Sequence, residues 1–534
     1  MTKANKPSAA AKPPVASTRS GRNGLRSAQA RLQELKGRLL EISDLAGTAA
    51  ILSWDQATYM PKAGAGARGR QCSLMSRLLH ERRTDPALGR LIEQLMPHAE
   101  SLPPDSNDAV LVSVTRRDFE KAVRVPAELV ERLSAHSSAS YDAWTRARQI
   151  DDFATMRPYL ERTLDLSREY AELFAPYQHV IDPLIDDMDE GMTCASVRSL
   201  FAELRGELLP IVRGICERTL ADDTCLHGQF ADGAQLEFGL AIAKAFGYDL
   251  DRGRLDLTFH PFCTKFSADD VRITTRVYPD DLTQALFSTL HEAGHGLYEQ
   301  GVAAELAGTP LGCGTSAGVH ESQSRLWENV VGRSLGFWQH FYPKLRAAFP
   351  GRFGNVPLAV FHRAINKVER SLIRTEADEV TYNLHIILRF DLEVELLEGR
   401  LAVKDLPEAW RARYQSDLGI SPPDDRDGCL QDVHWFSGCI GGAFHSYTVG
   451  NVLSAQFYDA ALRAHPEIPR EIGEGRFATL KAWLGKNLYR HGRKFTAEEI
   501  VRRATGEAMT IKPYVAYLGR KYGELYDLNL SAPA

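Results

Sequence analysis

The stretch Leu290-His291-Glu292-Ala293-Gly294-His295-Gly296 decides how this chain is read. His291 and His295 are four residues apart, so on a helix both imidazoles leave one face, one turn apart. That spacing lets two nitrogens reach one Zn²⁺ at about 2.0–2.1 Å. Glu292 sits beside the first histidine, where it can face a water on the metal and act as general base. With 16 histidines in 534 residues, such a string arises by chance roughly 0.03 times, so a pair of satisfied core or surface histidines is the weaker reading. The flanks suit a helix. Asp280 or Asp281 can cap its start, Leu282, Leu286, Leu290 and Leu297 form an apolar face, and Gly301 can end it. Gly294 and Gly296 each cost a helix interior roughly 1 kcal/mol against alanine, which implies that another group approaches closely there.

A zinc hydrolase of this kind needs a third protein ligand and an open fourth position. The sequence after Gly296 lacks the further His-x-x-Gly-x-x-His of the Met-turn enzymes, which excludes that type. A glutamate from a following helix is the alternative. The segment from Val319 to Asn329 offers Glu321 and Glu328, seven apart on one face with Arg325 between them. One is expected to be a ligand and the other a partner of a ligand; spacing alone does not choose.

Outward from this point, helical periodicity dominates. Leu32, Leu35, Leu39, Ile42 and Leu45 recur every three or four residues, and residues 127–147, 154–175, 194–219, 233–246, 355–376, 379–398, 452–463 and 475–489 behave alike. Two β-branched, alternating runs, 255–259 and 271–278, predict a small sheet just before the histidine helix. The expected fold is mainly α: one large helical domain over 29–534, bilobed around a cleft, with a small β-sheet beside the metal-binding helix.

The chain is 44% hydrophobic and 25% charged with a net charge of -5. That mixture excludes a disordered, collagen-like or disulfide-stapled protein. No apolar run is long enough to span a membrane. Residues 1–30 carry six basic side chains and no acid, leaving -11 for the rest, so the body is not expected to bind nucleic acid. Residues 1–28 read as a disordered basic tail without the apolar core of a secretory signal; an organellar targeting role is the lesser alternative. The eight cysteines form no Cys-x-x-Cys pair, which predicts reduced, mostly buried thiols in a cytoplasmic protein.

Six strings in order resemble one known family: His260-Pro261-Phe262, Asp270 to Thr274, His291 to His295, His320-Glu321-Ser322-Gln323, Ile373 to Asp378, and Gly428 to Trp435. The chain is similar to the carboxypeptidase Taq family of zinc metallocarboxypeptidases over about residues 29 to 530. The resemblance implies a saddle-shaped, neurolysin-like helical fold with a deep groove, a homodimer, and Glu321 as third ligand beside His291 and His295, with Glu328 behind them. It departs at the basic tail and at Ala443-Phe444-His445-Ser446-Tyr447, where many members read Tyr-Phe-Pro-Thr-Tyr.

The expected activity is zinc-dependent release of single C-terminal residues from peptides with a free C-terminus, with broad specificity; the alternative is an oligopeptidase or endopeptidase on the same scaffold. Co²⁺ or Mn²⁺ could also occupy the ligand set. A terminal carboxylate is best met by the fork of an arginine. Arg374 is the first choice, and the resemblance suggests that Arg272 closes the groove. The alternative for each is a structural ion pair, with Asp270 and Asp378 as local partners. Tyr447 and His434 are candidate donors to the oxyanion, and His260 a candidate substrate contact. Trp435 and Trp327 are expected in the core.

Overall fold

The computed structural model describes Met1 and residues 18–528, with side chains from Ser27 onward. Among these residues there are 21 α-helices and one three-stranded sheet. Helix α1 (Thr18–Thr58) buries Leu32, Leu35 and Leu39, the face expected from their spacing, against the helices at Pro86–Glu100 and Asn107–Arg124. Most of the expected tail, residues 2–17, lies outside the described residues. Residues 18–28 are already helical; they contain no proline, unlike the stretch before them.

The sheet sits where the alternating runs predict it, with shorter strands. Strand β1 (Leu255–Leu257) pairs in parallel with β3 (Asp270–Thr275), and β2 (Cys263–Ser267) pairs antiparallel on its other edge. Sequence patterning does not reveal β2. Its residues do not alternate in burial, because Lys265 turns inward to an acidic partner. The periodicity over 355–376 also misleads. The helix there stops at Ile365, and the chain runs irregularly to a single turn at Arg374–Glu376. Asn366 ends it by donating its amide to the carbonyls of His362 and Arg333, which competes with further helix.

Helix α2 (Leu282–Gly301) carries the two histidines. Asp281 caps it, accepting from the Thr283 N–H at 2.7 Å. Leu282, Leu286, Leu290 and Leu297 are buried. On the other side of the cap, Thr275 of β3 bonds the Ala285 carbonyl and Ser288 hydroxyl, so the sheet fixes the first turns.

Both glycines mark close approaches. A Cβ on Gly294 would lie 2.5 Å from the Gln323 carbonyl oxygen and 2.6 Å from Ser324 Cα; one on Gly296 would meet the Tyr248 ring at 2.8 Å. The element pressed onto Gly294 is α3 (Ala317–Arg325), which continues as a π-helical stretch, Leu326–Val331. Helix α4 (Tyr382–Leu397) and helix α5 (Phe444–Ala464) complete the surroundings. Gly450 of α5 lets α3 approach from its far side, since a Cβ there would lie 2.6 Å from Glu321 Cβ. Helix α3 is therefore held between two glycine contacts. All eight cysteines are unpaired; Cys194 and Cys429 are buried, whereas Cys313 is exposed and the other five lie between, so burial is less general than expected. No helix among the described residues is long and apolar enough to cross a membrane.

Candidate metal centre

His291, His295 and Glu321 offer donor atoms that all lie within 4.8 Å of one another. Glu321 Oε2 is 3.5 Å from His291 Nε2 and 3.4 Å from His295 Nε2. Tetrahedral bonds of 2.0–2.1 Å require donor separations of about 3.3–3.4 Å, so both distances from Glu321 suit one tetrahedral cation. Glu321, Glu328 and Glu292 raise the pKa of His291 well above its ordinary value, although burial by itself would lower it. A buried pocket with that surplus of negative charge suits a dication.

The choice between the two glutamates follows from the helix. Glu321 is on the α-helical part facing α2. Glu328 is on the π-helical stretch and bonds the other nitrogen of His291, Nδ1, at 2.9 Å. A π turn resets side-chain register relative to α-helix, and here it puts the second carboxylate behind the histidine rather than beside the first. Arg325 joins the two: its Nε donates to Glu321 Oε1 at 2.7 Å and one terminal nitrogen to Glu328 Oε2 at 3.3 Å. With Oε1 so occupied, Glu321 presents Oε2 alone to the cluster.

Glu292 is buried and, among the described residues, its carboxylate accepts no hydrogen bond from the protein. Burial pushes its pKa up to about 7, with neighbouring Glu321 and Glu328 adding to the effect and His291 opposing it. A dication on the neighbouring ligands would draw that value back down.

Glu292, His291, Glu321, Arg374, His434 and Tyr447 line one cavity of about 950 Å³, and His260 stands on its exposed rim. Arg374 is in an ion pair, but not with Asp378, the local partner named for that alternative. Its guanidinium forks onto Asp432 at 2.7–3.2 Å and donates to the Tyr382 hydroxyl at 3.1 Å. Of five N–H groups, one on each terminal nitrogen is left without a protein acceptor among the described residues. Arg389 shares Asp432 at 2.6 Å, so the carboxylate balances two buried cations. Tyr447 and His434 face each other, hydroxyl to Nε2, at 3.4 Å. His434 Nδ1 stands 3.7 Å from Asp432, too far for the hydrogen bond a core histidine would need.

Arg272 is not brought to the cavity. It forks onto Asp270 at 2.8 Å and is stacked between Trp54 and Phe266, tying β3 to α1 and β2. Trp327 and Trp435 are buried, as expected. Sequence reasoning missed Tyr382, Glu299 and Asp189. Asp189 accepts from the Gly318 N–H at the start of α3 and from Ser446 of α5, and His445 Nε2 lies 3.1 Å away. These partners are more than 120 residues off in the chain, and no local pattern announces them. The departure at His445 noted above thus places a polar partner on Asp189, and Tyr447 still reaches the cavity.

The chain is similar to known proteins of one family along nearly its whole length. The profile of the carboxypeptidase Taq (M32) metallopeptidases matches residues 34–522. The chain is 43% identical over 500 residues to thermostable carboxypeptidase 1 of Thermus thermophilus, covering 91% of this chain and 97% of that protein. It is 35% identical over 491 residues to carboxypeptidase 1 of Bacillus subtilis, covering 92% and 97%. The crystal structure of the M32 carboxypeptidase of Deinococcus radiodurans superposes with a TM-score of 0.91 at 50% identity, over 93% of this chain and all of the other. Family profile, fold and sequence agree along nearly the whole length, and the chain belongs to the carboxypeptidase Taq (M32) family of metallopeptidases.

Proposed function

We propose that this metallocarboxypeptidase works with zinc held by His291, His295 and Glu321, uses Glu292 as general base, and accepts a broad range of C-terminal residues. The observation that carries the reading is the spacing of the three donors, 3.4 and 3.5 Å from one carboxylate oxygen to two imidazole nitrogens, beside a carboxylate that the protein leaves free. Bound zinc would polarise the scissile carbonyl and acidify the attacking water. Glu292 takes the proton of that water and later delivers it to the leaving amine. The free N–H groups of Arg374 hold the terminal carboxylate, with Asp432 keeping the guanidinium fork in place. Tyr447 and His434 donate to the oxygen on which charge develops. Broad specificity is supported by a roomy cavity whose wall shows no single sign of charge, Lys367 being paired with Asp223 and Glu369.

The test is a timed digest of peptides differing only in the last residue, each with a free and an amidated C-terminus, read by mass. Metal-free protein reloaded with Zn²⁺, Co²⁺ or Mn²⁺ is compared. Zinc should restore stepwise loss of single residues from every free C-terminus, and the amidated peptides should resist. Internal cleavage of amidated peptides would favour the endopeptidase alternative. Glu292→Gln should keep zinc and lose several orders of magnitude in turnover; near-normal turnover would remove Glu292 as the base.

A further inference from the structure

His320 opens the His320-Glu321-Ser322-Gln323 string, yet only its neighbour Glu321 belongs to the donor set. The His320 ring is wedged between His295 and Tyr298, with centroids 4.7 and 5.1 Å away, and a Cβ on Gly314 would lie 2.6 Å from its edge. Its two nitrogens have different partners. Nδ1 is 2.6 Å from His295 Nδ1, and Nε2 is 2.8 Å from Glu299 Oε1. Glu299 is itself pinned. Lys265 Nζ donates to its Oε2 at 2.9 Å, and the Gly314 N–H to its Oε1 at 2.9 Å.

Proton counting shows which arrangement a ligand role for His295 requires. A carboxylate only accepts, so His320 Nε2 carries a proton. An N···N contact holds one proton. His295 can offer its Nε2 to a metal only if the shared proton sits on its own Nδ1 and His320 Nδ1 accepts it. His295 then keeps its Nε2 lone pair, on the atom that lies 3.4 Å from Glu321. The opposite arrangement, with His320 donating to His295, would protonate Nε2 and remove it as a ligand. His291 achieves the same end directly through Glu328. An imidazole spacer on the second histidine keeps a fourth carboxylate from crowding Glu292, Glu321 and Glu328.

We propose that His320 and Glu299 are positioning residues: Glu299 sets the tautomer of His320, and His320 sets that of His295, so that the relay presents His295 Nε2 to the metal. This rests on the metal-centre reading above, and the experiment separates the two. Zinc affinity of the metal-free full chain is measured by competition with a chromophoric chelator. Wild-type protein that takes no zinc overturns the metal-centre reading and the relay with it. If wild type binds, His320→Leu, which fills the space without an acceptor, should weaken zinc about ten- to a hundredfold. His320→Gln should recover most of the loss, because one amide can accept from His295 and donate to Glu299. Unchanged affinity in His320→Leu, or no recovery in His320→Gln, overturns the relay alone. A second measurement needs no stable variant. In metal-free protein with ¹⁵N-labelled histidines, His320 should show a protonated Nε2 and bare Nδ1; the reverse tautomer overturns the proposal.

Discussion

Gly294→Ala tests how closely the metal centre depends on the crossing of α2 and α3. The added Cβ would lie 2.5 Å from the Gln323 carbonyl oxygen and 2.6 Å from Ser324 Cα. A carbon and a carbonyl oxygen rest at about 3.3 Å or more, so α3 must retreat by roughly 0.8 Å at that point. The neighbours are backbone, and Gly450 blocks retreat from the other side through its close contact with Glu321. Metal–ligand distances tolerate about 0.2 Å, several times less than the imposed shift. Glu321 is two residues from the clash, and its other oxygen is tied to Arg325, so side-chain rotation absorbs little of it. Overpacking of this kind costs about 1–3 kcal/mol. The expected result is a lower melting temperature of the metal-free protein together with at least tenfold weaker zinc binding by chelator competition. Wild-type zinc affinity in a folded Gly294→Ala protein would refute the argument that helix approach sets the ligand geometry.

Three further outcomes follow from the same structure. Arg374→Lys replaces a fork with a single ammonium and should raise KM for free-carboxylate peptides about tenfold or more while narrowing the preference over amidated peptides; steady-state kinetics on matched substrates checks this. Asp189 is fully buried, and although burial alone would raise its pKa, His445, Ser446 and Ser316 hold it below the ordinary value. Its folded pKa being depressed, its stabilisation is complete above the unfolded value of about 4 and is lost as pH falls through the folded value. Denaturation midpoints should therefore drop more steeply below pH 4 in wild type than in Asp189→Asn. Removal of metal by a chelator should abolish peptide cleavage and lower the melting temperature; the stabilisation regained on adding zinc at a hundred times its Kd is about 2.7 kcal/mol, measurable by calorimetry.

The histidine helix was legible because each of its signals is local. Four-residue spacing, an aspartate cap and a leucine face all lie within 22 residues, and the structure has each of them. Strand β2 was hidden because an inward lysine broke its pattern, its charge being met by Glu299 34 residues away. The helix expected over 355–376, which ends at Ile365, is the converse case. Apolar periodicity continues past Ile365, but Asn366 turns the chain toward Arg333, and Arg374 must leave any helix to reach Asp432.

The site divides along the same line. Residues chosen for their own chemistry and a short spacing, such as His291 with His295, came together. For residues whose role depends on a distant partner, spacing offers only a local alternative or none. For Arg374 the local partner offered by the alternative reading was Asp378, four residues on, but that carboxylate is consumed by the backbone and hydroxyl of Thr381; the actual counter-ion, Asp432, comes from a loop 58 residues later. That substitution matters chemically. A partner on the same turn would leave the arginine free to move with its own segment, while Asp432, gripped also by Arg389, fixes the guanidinium against a second element and leaves the two unused N–H groups oriented. The same reasoning explains why Glu321 and Glu328 could not be separated by spacing. Both lie on one face of an ideal α-helix, and only the π-helical stretch after Arg325 sends one to the donor cluster and the other to the back of His291.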